Sequence, residues 1–361
     1  MYKDERIIKI ANTIINYSVK VKENDIVYIK ACYESKLLVK EIIKNVYKVG
    51  AFPIVKYTDE ETERYLLDSA TKKSLELMLS YEQKLYQELD CYIQIRTREN
   101  ESEFVNINPE IPIISAGLSK NLTDEIIQHR RWVLLEWPSK AIAQKANMPF
   151  DECVDYMFMA CCADFKKISE VGNKLKAKMQ KTDKVKIQAK DTMLELSLKD
   201  CEIAVTDGRY NLPDGETASA PVLESINGYI TFNTPSIYNS VVFNNVKLEF
   251  KNGKIIKATA DNNEATLNEI LNVDEGARYI GEFAFGLNPM VTRPFGSALY
   301  DEKIIGSIHL AAGKSLPGIC DNGNKSLIHW DLVQIQRPEY GGGKIYFDDE
   351  IIMEDGKLIN I

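Results

Sequence analysis

Two different hydrophobic periods divide this chain of 361 residues near residue 183. Before that point, apolar residues recur at helical spacing and are interrupted by short apolar runs, which predicts helices that alternate with buried strands. After it, apolar and polar residues alternate with a period of two, which is typical of half-exposed antiparallel strands. We therefore predict two domains, an α/β domain over residues 1–182 and a β-rich domain over residues 183–361.

The first half predicts a mostly parallel sheet with helices on both faces. Isoleucine and alanine at helical spacing predict a helix over residues 4–18, and a second helix ends at Gly50, a residue type that favours helix C-termini. A polar stretch rich in leucine is helical up to Leu89, and residues 139–181 are mainly helical. The predicted strands are 25–31, 51–57, 91–97, 111–117 and 131–137. Strands separated by helices in this way indicate parallel pairing.

The second half carries the signals of antiparallel hairpins. The segments VKLEFKNGKII and GKIYFDDEIIMEDGKL alternate apolar with polar residues and contain the turn sequences KNGK and EDGK. Asn-Gly and Asp-Gly pairs between such runs favour tight hairpin turns. The predicted fold class is therefore α/β, with a mostly parallel α/β sandwich domain followed by an antiparallel β-rich, α+β domain.

Composition and charge narrow the range of partners. The formal net charge of −8 argues against a nucleic-acid partner, which would need clustered excess lysine and arginine. No window approaches eighteen uninterrupted apolar residues, and the charged start lacks the apolar core of a signal peptide, so neither a membrane span nor a membrane partner is expected. The seven cysteines include no CxxC pair, which favours reduced thiols in a cytoplasmic protein.

Histidines and an aspartate suggest a metal site in the second half. His329 and Asp331 lie two positions apart in a predicted strand, so both side chains point to the same face. His309 lies upstream in a run of small residues, which lets a backbone and a ligand approach closely. The alternative is structural histidines that hydrogen-bond neighbouring carboxylates. His129 lies among basic residues and is assigned a surface or structural role.

Two glutamates stand out by their local context. Glu216 follows a Pro-Asp-Gly turn that would fix the direction of its side chain. Glu282 follows Gly281 in an otherwise apolar and aromatic strand, where an acidic residue is rarely buried without a partner. A cross-strand arginine or lysine could satisfy either glutamate, so the pair alone leaves a structural role open.

Taken together, these candidates suit two divalent metal ions that share ligands. The set is Glu216, Glu282, His309, His329 and Asp331. It holds too many carboxylates for one tetrahedral zinc ion, and it lacks the thiolate and thioether ligands of electron-transfer centres. Two neighbouring ions polarise a carbonyl group and generate hydroxide near neutral pH. The pattern therefore favours hydrolysis of an amide or ester.

Four motifs in order, NLPDGE, ARYIGE, IHLAAG and IHWD, resemble the aminopeptidase T and aminopeptidase S family of metal-dependent exopeptidases. The resemblance covers nearly the whole chain and places the family's metal ligands on the five residues selected above. It implies two divalent ions, drawn from Zn, Co, Mn and Mg, and a homodimer that restricts access to the site. The implied substrate is a peptide with a free amino terminus, from which leucine and similar residues are removed.

One position departs from this family. Its better-known members carry a tyrosine seven residues after the first histidine, where it assists the chemistry, but here that position is Leu316. Tyr340 could reach back over a flexible glycine turn, with an exposed turn tyrosine as the alternative. Arg293 could hold a substrate carboxylate or form a dimer contact. The catalytic proton carrier is therefore left unassigned.

Two other functions stay open at this level. The scaffold is similar to ring-cleaving non-haem iron dioxygenases, which share the H-x-D element but hold one ferrous ion and lose the paired glutamates. The presence of Glu216, Glu282 and His309 argues against that branch. A non-catalytic relative that binds metal or peptide is the second alternative, because the tyrosine is missing.

Overall fold

The computed structural model describes residues 4–239 and 241–361. The chain divides into two compact units. The first comprises Met1–Cys162 together with Gly208–Leu212, and the second comprises Ala163–Asp207 together with Pro213–Ile361. The predicted domain limits, 1–182 and 183–361, stay a prediction.

Within the described residues the chain forms ten α-helices and twenty β-strands. The helices are α1 Glu5–Thr13, α2 Lys36–Val49, α3 Glu60–Asp68, α4 Lys72–Glu88, α5 Glu110–His129, α6 Lys140–Lys145, α7 Phe150–Cys161, α8 Phe165–Met179, α9 Glu264–Ile270 and α10 Ala298–Asp301. The strands are β1 Ile26–Cys32, β2 Phe52–Thr58, β3 Cys91–Arg96, β4 Arg131–Glu136, β5 Lys184–Ala189, β6 Thr192–Ser197, β7 Ile203–Thr206, β8 Asn211–Leu212, β9 Glu216–Ser219, β10 Asn227–Thr231, β11 Ser236–Tyr238, β12 Val241–Phe243, β13 Lys247–Lys251, β14 Lys254–Thr259, β15 Ile280–Gly286, β16 Ser307–Gly313, β17 His329–Ile335, β18 Gly343–Phe347, β19 Glu350–Glu354 and β20 Lys357–Leu358.

The first unit is built on a parallel sheet with the strand order β2-β1-β3-β4-β8. The predicted parallel pairing is confirmed. α1 continues into a π-helical turn, Ile14–Ser18, and α2 ends at Gly50, whose φ of +83° is the left-handed conformation that glycine adopts most readily. Both helices end close to the predicted positions.

The prediction of a strand over residues 111–117 is wrong, because this segment lies within α5. A short apolar run with β-branched residues does not by itself distinguish a strand from a buried helical segment. Pro112 is tolerated because it lies in the first helical turn, where its missing N–H would have no intrahelical partner. Ile111 is buried, and so are Leu122 and Ile126 further along the helix. Burial of these side chains against the rest of the unit therefore stabilises the helix.

The second unit is rich in antiparallel sheet, as predicted. Its largest sheet has the order β14-β13-β10-β6-β5-β18-β19-β20, and a smaller one pairs β11 with β12. The two predicted hairpin turns are confirmed: Asn252 and Gly253 join β13 to β14, and Asp355 and Gly356 join β19 to β20. All four residues have positive φ, which two-residue turns of this kind require.

A third sheet of the second unit, with the order β17-β16-β15-β9-β7, carries the predicted ligands. Helix α8 packs on one of its faces. A Cβ atom at Gly172 of α8 would lie 2.7 Å from Val205 Cγ1 and 3.2 Å from Thr217 Oγ1, so only glycine permits this close approach. Val205 and Thr217 pair across β7 and β9, and side chains alternate along a strand. Glu216 therefore points to the opposite face.

In the described part of the chain, no helix is long and apolar enough to cross a membrane. Within the same described residues, no disulfide bond involves any of the seven cysteines.

Candidate metal centre

Four neighbouring strands bring the five predicted ligands to one face of the sheet. The ligands are Glu216 on β9, Glu282 on β15, His309 on β16, and His329 and Asp331 on β17. In the antiparallel register, Ala311 pairs with Glu282 on one side and with Asp331 on the other. Because paired residues share a face, the two carboxylates flank the same small side chain.

Small residues separate the ligands on this face. Ala284 pairs with His309, and Gly286 pairs with Glu216. Methyl groups and hydrogens leave space above the sheet that larger side chains would fill. Ala284, Gly286 and Ala311, which pairs with two of the candidate ligands, therefore form the floor of the site.

A β-bulge at Gly281 sets the direction of Glu282. The register of β15 against β16 shifts between Ile280 and Glu282. A Cβ atom at Gly281 would lie 2.3 Å from the carbonyl oxygen of Lys314, closer than real Cβ contacts come. Bulges re-aim side chains next to functional sites, and this one requires glycine.

Glu282 lies between the two histidines. Its Oε1 is 3.9 Å from His309 Nε2, and its Oε2 is 3.3 Å from His329 Nε2. His309 Nε2 is also 3.7 Å from Glu216 Oε2, and His329 Nε2 is 3.4 Å from Asp331 Oδ1. The five predicted ligands therefore form one continuous cluster in which Glu282 is the connecting group.

The potential ligand atoms fall into two groups of three residues. One group is Glu216, Glu302 and His309, and the other is Glu282, His329 and Asp331. Within each group the candidate atoms lie within 4.8 Å of one another. The 3.9 Å between Glu282 Oε1 and His309 Nε2 joins the two groups into one cluster.

Glu302 is not among the residues predicted from the sequence. It is the C-cap residue of the short helix α10 and precedes β16 by a few residues. Neither a motif nor strand periodicity marks it, because its position depends on how the turn after α10 folds back over the sheet. Its side chain is 13% exposed, so it belongs to the wall of the site and not to the outer surface.

Two buried atoms support a cation at this position. Across residues 4–239 and 241–361, Glu216 Oε2 in one group and Asp331 Oδ1 in the other have no hydrogen-bond partner. Buried polar atoms without partners are uncommon in folded proteins, and a bound ion can satisfy them. Imidazole and carboxylate donors suit Zn, Co and Mn. The residues present therefore fit divalent metal ions.

His329 is held by the backbone. Its Nδ1 lies 2.8 Å from the carbonyl oxygen of Lys314. A carbonyl oxygen can only accept, so Nδ1 carries the proton and donates it, which leaves Nε2 facing Glu282 and Asp331. Metal-binding histidines are commonly oriented in this way.

A buried lysine lies beside the first group of ligands. Lys303 is 1% exposed, and its Nζ lies 2.7 Å from Glu216 Oε1, 2.8 Å from Glu302 Oε1 and 3.5 Å from Asp214 Oδ1. Burial alone would lower the pKa of Lys303, but the charges of these carboxylates outweigh it and raise that pKa well above its ordinary value. Lys303 is therefore a cation built into the wall of the site.

The metal-free cluster shifts the pKa values of its members. Burial would lower the pKa of His309, but a hydrogen bond with Glu282 and the charge of Glu216 raise it to about 9. Burial raises the pKa of Glu302 to about 8 against the opposing effect of Lys303. Burial opposes ionisation of Glu282 as well, yet its hydrogen bonds with both histidines lower its pKa. Without metal, the histidines act as the counter-ions of the carboxylates.

Other residues singled out from the sequence lie outside these groups. The Tyr340 ring packs under the Arg337 guanidinium at 5.4 Å, and its carbonyl accepts a hydrogen bond from Asn233. Leu316 forms a backbone bridge with Cys320. The remaining two are Arg293, which is exposed, and His129, which ends α5 in the first unit.

A β-rich unit that presents two histidines and four carboxylates as joined groups defines a metal-dependent hydrolase. The model of the thermophilic metalloprotease family M29 matches residues 3–358, and the chain belongs to this family. The predicted resemblance and fold class are thereby confirmed. The match favours peptide hydrolysis over ring cleavage by an iron dioxygenase.

Individual relatives agree with the family match. Aminopeptidase 2 of Geobacillus stearothermophilus is 22% identical over 90% of each chain. Aminopeptidase T of Thermus thermophilus is 28% identical over 34% of this chain and 33% of its own length. The solved structure of wild-type AmpT from Thermus thermophilus covers 98% of this chain and 99% of its own, with a TM-score of 0.84 at 19% identity, which shows a common fold.

Proposed function

We propose that this chain is a metal-dependent aminopeptidase that holds two divalent ions in the cluster centred on Glu282. The observation that carries the proposal is the arrangement of the two three-residue groups. Glu282 presents one carboxylate oxygen to His309 of one group and the other to His329 of its own group. A carboxylate placed in this way can serve as the shared ligand of two ions.

Each group supplies the ligands of one ion. Glu216, Glu302 and His309 would hold the first, and His329 with Asp331 would hold the second, with Glu282 common to both. When bound, two such ions polarise the scissile carbonyl and supply hydroxide near neutral pH. The chain's own contribution is to fix the ligands: the Lys314 carbonyl orients His329, and the bulge at Gly281 orients Glu282.

The metal and the substrate follow from the ligand types and the relatives. Histidine and carboxylate donors without a thiolate fit Zn, Co, Mn or Mg. Aminopeptidases 2 and T bear names that denote removal of amino-terminal residues, and we extend that activity to this chain. Leucine and similar apolar side chains are the preference that the family resemblance implies.

Leu316 limits the catalytic apparatus. The position at which better-known family members carry a tyrosine holds a side chain that cannot donate a proton or a hydrogen bond. Tyr340 does not replace it, because its ring packs against Arg337 beyond the end of β17. Without a phenol at this position, stabilisation of the transition state would fall to the bound ions and the fixed carboxylates. We expect turnover below that of relatives that retain the phenol.

The assembly and location are further parts of the proposal. The family resemblance implies a homodimer that restricts access to the site, and cysteines outside disulfide bonds in the described residues fit the reducing cytoplasm. Light scattering coupled to size exclusion would give a mass of about twice 41.0 kDa for the dimer. A mass of a single chain at micromolar concentration would contradict it.

Hydrolysis of paired substrates tests the activity. Metal-loaded protein should release p-nitroaniline from leucine p-nitroanilide and should leave the acetylated compound intact. Equal cleavage of the free and acetylated substrates would overturn the exopeptidase assignment. Binding of two ions without cleavage of any unblocked peptide would favour a non-catalytic relative. The missing tyrosine is the observation that supports this alternative.

A further inference from the structure

We propose that Lys303 makes the two halves of the metal centre unequal. The half formed by Glu282, His329 and Asp331 takes up its ion first, and the half formed by Glu216, Glu302 and His309 fills second with weaker affinity. The inference rests on the two-metal proposal above. It adds an order of binding and a residue that sets this order.

The first observation is that the Lys303 ammonium contacts two carboxylate ligands of one half, with Asp214 as a third, non-ligand carboxylate at 3.5 Å. Its Nζ lies within 2.8 Å of one oxygen of Glu216 and one oxygen of Glu302. Both carboxylates therefore have a cationic partner before any metal arrives. A dication entering this half would meet the repulsion of an ammonium group that contacts two of its ligands.

The second observation is that the other half has no comparable cation. Among the residues that the structure describes, Glu282 and Asp331 form ion pairs with histidines alone. An imidazole nitrogen can itself be a metal ligand, whereas the Lys303 ammonium has no lone pair to offer an ion. The asymmetry is therefore built into the positions of the charged groups.

Lys303 cannot readily move away. Its side chain is 1% exposed, and the Asp214 carboxylate lies 3.5 Å from its Nζ. Its backbone is also fixed, since its N–H donates to Tyr300 and its carbonyl accepts from Asn288. The Lys303 ammonium contacts Oε1 of Glu216. Oε2 of Glu216 lies on the side of His309, 3.7 Å from His309 Nε2. Oε2 is therefore the Glu216 oxygen that could face a cation on the His309 side.

Metal titration of the stripped protein tests the order. EDTA-treated protein is titrated with Co²⁺ and followed by visible absorption and calorimetry. Wild-type protein should bind two ions in steps whose affinities differ by about tenfold or more. Lys303→Met should tighten the weaker step by about tenfold or more and leave the tighter step within about threefold. Lys303→Arg keeps the charge and should keep two unequal steps.

Two further variants assign the steps without changing Lys303. Asp331→Asn should remove or weaken the tight step, and Glu302→Gln should weaken the loose step alone. These variants keep the test decisive even if Lys303→Met does not fold. Lys257→Met, at an exposed ion pair with Glu249, is the matched control and should change neither step.

The outcomes separate this inference from the proposed function. Wild-type protein that binds no ion, or one ion alone, would contradict the two-metal proposal itself. Wild-type protein that binds two ions with equal affinity, or a Lys303→Met variant with both steps unchanged, would overturn the role of Lys303 and leave the two-metal proposal standing. If Asp331→Asn weakened only the loose step, the order of binding would be reversed, and the inference would be overturned as well.

Discussion

Glu282 and His329 lie 3.3 Å apart, with Oε2 of the carboxylate facing Nε2 of the ring, while the other carboxylate oxygen lies 3.9 Å from His309. Among the described residues, Glu282 is thus the one carboxylate that directs an oxygen at both His309 and His329. The two ligand groups depend on this side chain to act as a single centre.

Replacing Glu282 with glutamine should abolish hydrolysis of leucine p-nitroanilide, a loss of at least about a hundredfold, because an amide cannot bridge two dications. The oligomeric state should equal that of the wild type. Glu249→Gln is the matched control. It makes the same substitution at a surface ion pair with Lys257, and this variant should retain activity. Steady-state kinetics and size exclusion report both properties. Retained activity in the Glu282 variant would refute the two-metal assignment.

Replacing Gly281 with alanine should weaken metal binding without touching a ligand. The added methyl group would meet the Lys314 carbonyl at 2.3 Å, and that carbonyl accepts the hydrogen bond that orients His329. We expect metal affinity to fall by about tenfold or more, the usual effect of disturbing a group that orients a ligand. Calorimetry with Zn²⁺ measures the change.

Gly117→Ala is the matched control for this change. Gly117 lies in α5, and a Cβ atom there would have no neighbour within 4 Å. Its metal affinity should equal that of the wild type. An equal affinity in the Gly281 variant would show that the bulge does not control the ligands.

Restoring the family's tyrosine tests the importance of the departure at Leu316. Leu316→Tyr should raise kcat by about tenfold or more with little change in KM, because one added donor to a developing oxyanion is worth that much or more. Leu316→Phe is the control, since it adds the ring without the hydroxyl group. Equal kcat values for the two variants would show that a phenol at this position contributes nothing in this chain.

The convergence of the candidate ligands on one face of the sheet could be predicted because strand geometry is local. Residues two apart on a strand share a face, so His329 and Asp331 were expected to converge, and the structure places them together. Turn chemistry and an acidic residue in an apolar strand likewise indicated Glu216 and Glu282. These signals depend on short spacings along the chain, so they do not depend on tertiary packing.

Contacts that depend on tertiary packing could not be predicted in this way. The strand assigned to residues 111–117 is helical because buried contacts of Ile111, Leu122 and Ile126 override a local pattern that fits both structures. Glu302 and Lys303 lie in the turn after α10, with no periodicity of their own. Only the folded chain shows that Lys303 contacts Glu216.

The metal-free protein should lose stability as the pH rises. His309 has a pKa of about 9 in the folded chain against about 6.5 when unfolded, so its contribution is complete below about 6.5 and disappears as the pH passes about 9. Glu302, whose folded pKa is about 8, also binds more protons when folded and acts in the same direction. The Tm of EDTA-treated protein should fall by roughly 2 °C or more between pH 6.5 and 9.

The metal-loaded protein provides the contrast for that measurement. Metal ions compete with protons for the histidines, so stabilisation by Zn²⁺ should increase over the same pH range. A Tm that rises with pH in the metal-free protein would contradict the assigned proton binding of His309 and Glu302.

The most direct test of the central claim is activity against metal content. Stripped protein is reloaded with known equivalents of Zn²⁺ or Co²⁺, the bound metal is measured by mass spectrometry, and leucine p-nitroanilide hydrolysis is recorded at each point. Activity should appear on loading and reach its plateau at two ions per chain. A plateau at one ion, or hydrolysis that is unchanged by stripping, would contradict a two-metal centre joined through Glu282.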